Sequence, residues 1–230
     1  MQKLIKGALT FRRHVFSAYR DLFAKLAQGQ SPEALFITCS DSRVVPSLIT
    51  ATDPGDLFVV RNVGNVIPAH APGAPRDNPG AAALEYAIQV LNVRHIIVCG
   101  HSGCGAMKAA LAGPNDHLPH ATAWLGHVDQ AKQLLQSYEP FPDEQTRADM
   151  LSELNVLTQI KHIKTYPFVL EKIESGALHL SAWFFEIDSA QLYTYSPDEE
   201  QFVPLTEQSA ASILTGPGAG SDGAGVSPPA

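Results

Sequence analysis

The sequence predicts an α/β fold with a central, mostly parallel β-sheet, helices on both faces, an N-terminal helical arm and a segment that could add an antiparallel edge strand. Three observations carry this. Four short apolar runs, ALFIT at 34–38, DLFVVRN at 56–62, RHIIVCG at 94–100 and HLSAWFFEI at 179–187, are each bounded by turn residues and read as buried strands. Helical periodicity fills the stretches between them, and strand alternating with helix implies βαβ units with both sheet faces covered. The 230 residues, 45% of them hydrophobic, are enough for one large domain with its own core.

From the amino terminus, Leu4, Ile5, Leu9, Phe16, Tyr19, Leu22, Phe23 and Leu26 recur near helical spacing, so 1–28 reads as an amphipathic helical arm interrupted near Gly7 and Ser17. Gly29 ends it. The first strand runs into CSDSR at 39–43. After the second strand, PAHAPGAPRDNP at 68–79 carries four prolines and is a surface loop. Helices are expected at 80–93 (GAAALEYAIQVLNV), 103–112, 121–138 and 143–164. The third strand runs into His101-Ser102-Gly103-Cys104-Gly105, and QLYTYS at 191–196 alternates as an edge strand would. The α/β domain then spans 29–214, and 215–230, rich in Gly and Pro, reads as a flexible tail.

Composition removes several function classes. Sixteen Lys and Arg against 23 Asp and Glu give a net charge of −7, a field that repels phosphate and anionic lipid, so neither nucleic acid nor a membrane surface is an expected partner. No apolar run has the length of a signal peptide or a spanning helix. Three cysteines, an odd number, suit a reducing, cytoplasmic setting and metal or thiol chemistry rather than a disulfide framework.

Ligands of open α/β sheets collect beyond the carboxyl ends of the strands. If strands 34–38 and 94–100 are neighbours, Cys39, His101 and Cys104 converge there with Asp41 and Arg43 beside them. Two thiolates and one imidazole make a good Zn²⁺ set, and three protein ligands leave a fourth position for water, as in catalytic zinc sites. Two competing motifs fail on their letters. GHSGC at 100–104 has Cys104 where a nucleophile elbow needs Gly, and GHSGCGAMK has Ala106 and Met107 where a P-loop needs Lys then Ser or Thr.

CSDSR at 39–43, GDLFVVRNVGN at 55–65, GAAALEYA at 80–87 and CGHSGCGAMK at 99–108 together resemble the β-class carbonic anhydrases, in the same order and at similar separations. The likeness is strong over 29–108 and thinner to about 195. It implies zinc-dependent reversible hydration of CO₂ to bicarbonate and a proton by zinc-bound hydroxide, with one Zn²⁺ per chain held by Cys39, His101 and Cys104. It also implies an Asp41–Arg43 dyad, in which Asp41 orients the nucleophile and Arg43 holds the carboxylate in place. Gln30, nine residues before Cys39, would line the substrate pocket with Phe58, Val63 and Tyr86, part of it supplied by a neighbouring subunit. A homodimer or higher homo-oligomer follows, with the arm laid over a partner.

Where one branch of that family places a Trp and a Tyr around an Arg to bind regulatory bicarbonate, this chain has Phe36 and Phe185 around Arg61, which implies the open, plant-like form. MQKLIKGALTFRR at 1–13 and LTQIKHIKTYP at 157–167 resemble the carboxysome-associated cyanobacterial branch. That likeness implies carboxysome proteins as partners, a location inside a carboxysome, and an alternative role as a non-catalytic or conditionally active scaffold subunit.

Other residues read as structural. Cys99 is a small core residue, the remaining eight histidines are surface or satisfied polar groups, and Trp124 and Trp183 are packing groups. Glu85 is expected to pair with a buried donor, and the mixed charges over 143–164 to form a solvated helix face. A Cys-based hydrolase or redox enzyme lacks both a Cys-x-x-Cys pair and an evident base.

Overall fold

The computed structural model describes residues 1–73, 77–207 and 209–210, so the expected tail lies outside the described residues. Six strands, β1 (Ala34–Cys39), β2 (Leu57–Asn62), β3 (His95–His101), β4 (His179–Glu186), β5 (Gln191–Ser196) and β6 (Gln201–Pro204), form one sheet in the order β2-β1-β3-β4-β5-β6. The first four are mutually parallel, as the βαβ alternation requires, β5 pairs antiparallel with β4, and β6 pairs antiparallel with β5. The segment 191–196 is therefore antiparallel but not the edge. The short β6, ending in a proline, takes that place.

Successive residues of the central strands go to opposite faces. Leu35, Ile37, Ile96 and Val98 pack under α4 (Pro79–Gln89), α8 (Glu144–Ile163) and α9 (Pro167–Glu174) through Leu84, Ile88, Val156, Ile163 and Val169. On the other face Phe36, Cys99 and Phe185 pack with Val44, Trp183 and Ile49 of the short α3 (Pro46–Ile49). Beyond the strand ends, α5 (Gly105–Ala112), α6 (Pro119–Leu125), α7 (Asp129–Leu135) and α8 build a third cluster around Met107, Leu125, Leu135 and Leu151. Asn78 starts α4 by accepting from the backbone N–H of Gly80 and Ala81, with Pro79 at the first helical position. The helix expected over 121–138 is broken at Gly126 by a 3₁₀ turn.

One close approach positions the site. A Cβ on Gly100 would lie 2.7 Å from Cγ2 of Val156 and 3.0 Å from Oγ of Ser152, so the missing side chain lets α8 lie directly on the end of β3.

The arm differs from expectation. It is helical through Gly7 and Ser17, and its irregularity is a π turn at Phe11–Val15 between helices over Gln2–Thr10 and Phe16–Leu26. An exposed glycine costs a helix only about 1 kcal/mol, whereas the wide turn brings Phe11 against Phe16 and Phe23, with ring centroids 6.5 and 6.3 Å away. Leu4, Ile5, Leu9 and Phe11 are exposed, so the arm's apolar face is uncovered in the single chain. Among the described residues no helix is long and apolar enough to cross a membrane.

Candidate metal centre

Because β1 and β3 are adjacent and parallel, their carboxyl ends bring Cys39 and His101 side by side, and the turn at 102–104 returns Cys104 to the same space at the start of α5. All three are buried, and their ligand atoms lie within 4.8 Å of one another. Tetrahedral zinc holds sulfur and nitrogen ligands roughly 3.5–3.8 Å apart, a spacing that small side-chain adjustments reach.

His101 is prepared for a cation. Its Nδ1 lies 2.9 Å from the carbonyl oxygen of Ser102, which can only accept, so Nδ1 carries the proton and Nε2 keeps its lone pair. Nε2 is buried and has no hydrogen-bond partner. Such an orphan costs about 1–3 kcal/mol unless something satisfies it. The two sulfurs say the same. Hydrogen bonding from the Cys104 thiol holds Cys39 well below the usual thiol range, helped by the backbone of Gly64 and Asp41 against the effect of burial. The same contact, with burial, pushes the Cys104 thiol far up. The protein alone thus keeps one proton between the sulfurs, and a dication is the group that lets both ionise. The donor set fits zinc.

Asp41 stands beside this triad, its Oδ2 3.9 Å from Nε2 of His101. Arg43 grips it as a fork, Nε to Oδ1 at 2.9 Å and Nη2 to Oδ2 at 2.7 Å, with the Arg43 backbone N–H also on Oδ1. The guanidinium holds the carboxyl well below the usual carboxylate range. Arg43 also donates from Nη2 to the carbonyl of Gly103 (3.0 Å), and Arg61 donates to the carbonyls of Cys39 (3.1 Å) and Asp41 (2.6 Å).

The single chain thus gathers Cys39, Asp41, Arg43, His101 and Cys104. Val63 borders them: it is exposed, its carbonyl accepts from Nε1 of Trp124 (2.8 Å), and the next residue, Gly64, reaches Cys39 through its backbone. The other residues expected to line a pocket are elsewhere. Phe58 and Tyr86 pack on each other at 6.0 Å, level with Leu35 on β1 and so about 13 Å back from Cys39 at the rise of a strand. Gln30 is exposed before the opposite end of β1.

Cys99 is a core residue as expected, fully buried, with its thiol pushed up to about 12 by burial. Trp183 packs edge-on against Phe36 at 6.1 Å. One expectation fails and another holds in part. Glu85 lies exposed on α4 rather than paired with a buried donor. The solvated face expected of the mixed charges over 143–164 holds at its ends, where Asp143, Glu144, Lys161 and Lys164 are exposed, and gives way in the middle, where Gly100 admits α8 to the strand end and Ser152, Asn155 and Gln159 are buried. Ser152 Oγ bonds both the N–H and the carbonyl of His101, Asn155 donates to the carbonyl of Gly64 (2.9 Å), and Gln159 accepts from the N–H of Ile67 (2.8 Å). Asp149 accepts from the N–H of Gly103 at 2.6 Å. The only signal for these in the sequence is polar residues at three- and four-residue spacing on a helix that also carries Leu151, Val156 and Ile163.

Glu153, one turn after Asp149, is mostly buried, and that burial, reinforced by the Asp149 carboxylate, pushes its carboxyl up to about 7 from an ordinary 4.5. The folded chain holds this proton more tightly than the unfolded chain does. The stability this one group contributes is therefore fully present below pH 4.5, falls as pH rises from 4.5 to about 7, and is lost above. Glu153→Gln is expected to exceed the parent at about pH 8 by on the order of 2–3 kcal/mol in urea unfolding, and to match it near pH 4. Coincident midpoints at the higher pH would refute this.

A family model described as "Carbonic anhydrase" matches residues 34–192. Over 210 residues the chain is 42% identical to a carbonic anhydrase of Pseudomonas aeruginosa, covering 90% of this chain and 93% of that one. Over 206 residues it is 43% identical to a carbonic anhydrase of Synechocystis, covering 88% and 74%. Among solved structures, that of the β-carbonic anhydrase CcaA matches with a TM-score of 0.83 at 40% identity, covering 90% of this chain and 93% of that one. A structure from a report on two tetrameric β-carbonic anhydrases of Sordaria macrospora matches with a TM-score of 0.73 at 30% identity, covering 84% and 95%.

Proposed function

This chain belongs to the carbonic anhydrase family, in its β class, and from that premise we propose that it catalyses the zinc-dependent, reversible hydration of CO₂ to bicarbonate and a proton. One observation carries the reading: a buried Cys39–His101–Cys104 triad with an unpartnered imidazole nitrogen, flanked by a carboxylate that an arginine holds ionised. Zinc bound there would acidify water, supplying hydroxide near neutral pH.

The chain's own residues do the rest. Asp41 accepts a hydrogen bond from the attacking water and directs a lone pair at CO₂. Arg43 occupies both oxygens of that carboxylate, keeping it charged and away from the triad, which supports the open form. Phe36 and Phe185 are buried in an apolar cluster and Arg61 is engaged by the Cys39 and Asp41 carbonyls, which fits an enzyme without the regulatory bicarbonate site.

CO₂ is small and apolar, and Val63, Phe58 and Tyr86 with the Gln30 amide would form its pocket. Gln30, Phe58 and Tyr86 stand away from their own triad, and the arm's apolar face is uncovered. Both fit a homodimer or higher oligomer that completes the pocket across an interface. In the segment 157–167, Gln159, His162 and Tyr166 bond to Ile67 and Pro68, so these residues have an internal role here, and carboxysome proteins as partners rest on the likeness of 1–13. Three free cysteines suit the cytoplasm or a carboxysome.

The test pairs zinc content with stopped-flow CO₂ hydration. About one zinc per chain and a rate well above buffer are expected. A zinc-loaded protein no faster than buffer would instead support a scaffold subunit, and a metal-free protein with a reactive thiol would support thiol chemistry.

A further inference from the structure

The peptide between Ser102 and Gly103 is held at both ends. Its carbonyl accepts from Nδ1 of His101 at 2.9 Å, and its N–H donates to Oδ1 of Asp149 at 2.6 Å. One planar amide therefore connects a carboxylate on α8 to the imidazole of the triad. Asp149 is itself fixed by the Gln145 side-chain amide at 2.9 and 2.8 Å. From the other side, the Ser102 N–H donates to the Phe185 carbonyl (3.0 Å) and the Ser102 hydroxyl accepts from the N–H of Ile187 (2.9 Å). Gly103 is at φ +62°, a left-handed conformation that a glycine takes without strain, and its own carbonyl accepts from Arg43 at 3.0 Å.

We infer that Asp149 is a positioning residue for the metal centre, acting on His101 through the Ser102–Gly103 peptide and on Arg43 through the Gly103 carbonyl. A negative charge at the N–H end of an amide draws electron density toward its carbonyl oxygen, making it a stronger acceptor for the imidazole proton. Such a bond fixes the tautomer and ring plane of a ligating histidine and strengthens its other nitrogen as a donor. The same contact holds the turn so that Gly103 meets Arg43, the residue that grips Asp41.

This inference rests on the triad being a zinc site, and its test reads metal binding rather than turnover. Zinc affinity of the apo full-length chain is measured by competition with a chromophoric chelator for wild type, Asp149→Ala and Asp149→Asn, with apo thermal unfolding and visible spectra of the cobalt-substituted proteins. Asp149→Ala should lose roughly 10–100-fold in zinc affinity, the range for groups that support a ligand, and Asp149→Asn, which keeps an acceptor without the charge, roughly 10-fold. The cobalt ligand-field bands should move in both, which a purely structural role would not produce. Should Asp149→Ala fail to fold, the Asn variant decides. Folded variants with wild-type zinc affinity and unshifted cobalt bands would overturn the inference. Wild-type chain that binds no zinc would overturn the metal-centre reading before any variant is compared. Wild type that binds zinc without hydrating CO₂ would sink only the carbonic anhydrase activity, leaving the affinity comparison decisive for Asp149.

Discussion

Replacing Cys104 with serine is expected to leave the fold intact, strip the protein of zinc and abolish CO₂ hydration. The side chain is fully buried at the start of α5, where the backbone N–H groups of Ala106 and Met107 approach it, and a serine hydroxyl is small enough to occupy the same space and donate to Cys39 as the thiol does. A hydroxyl does not ionise near neutral pH, so the substitution removes one of two thiolates from a three-ligand site. Loss of a direct ligand should exceed the roughly 10–100-fold penalty of outer-shell changes, so zinc should be lost on purification and hydration should fall at least about 1000-fold. Cys99→Ser is the control. Cys99 is buried with a thiol pushed up to about 12 and stands outside the triad, so that variant should keep its zinc. Metal analysis beside stopped-flow rates distinguishes the two, and a Cys104→Ser protein with full zinc and full rate would remove the triad from the mechanism.

The strands were legible because each is a short apolar run between turn residues, and the parallel order followed from alternation with helices. That Cys39 and His101 meet was legible only as a condition on β1 and β3 being neighbours, since 62 residues separate them and spacing cannot close that gap. The shared motifs supplied the ligand identities. What was not legible depended on contacts absent from any local pattern. Ser152, Asn155 and Gln159 look like an ordinary polar helix face until Gly100 admits α8 to the strand end, where their side chains bond the turns carrying Gly64, Ile67 and His101. β6 is four residues ending in proline, too short for a period-2 signal. The distance of Gln30, Phe58 and Tyr86 from the triad was not legible either, because a motif match names residues without placing them relative to one another.

Asp41→Asn should keep zinc and lose hydration. The asparagine has the same shape and stands outside the triad, so metal content should match wild type. It carries no charge for the Arg43 fork and can present an amide N–H where the carboxylate accepted, so the attacking water loses its oriented acceptor. A positioned acceptor of this kind is worth typically 10²–10⁴ in rate, and that is the expected fall. The pH dependence separates this role from a titrating base. Arg43 holds the Asp41 carboxyl well below the usual carboxylate range, so Asp41 is ionised throughout neutral and alkaline conditions. Stability from the depressed carboxyl is likewise present above its unfolded value of 3.8 and is lost only as pH falls through the lower folded one. Across about pH 6.5 to 9 the wild-type rate profile should therefore carry no limb that belongs to Asp41. An unchanged rate would mean that the fork between Asp41 and Arg43 merely closes the turn.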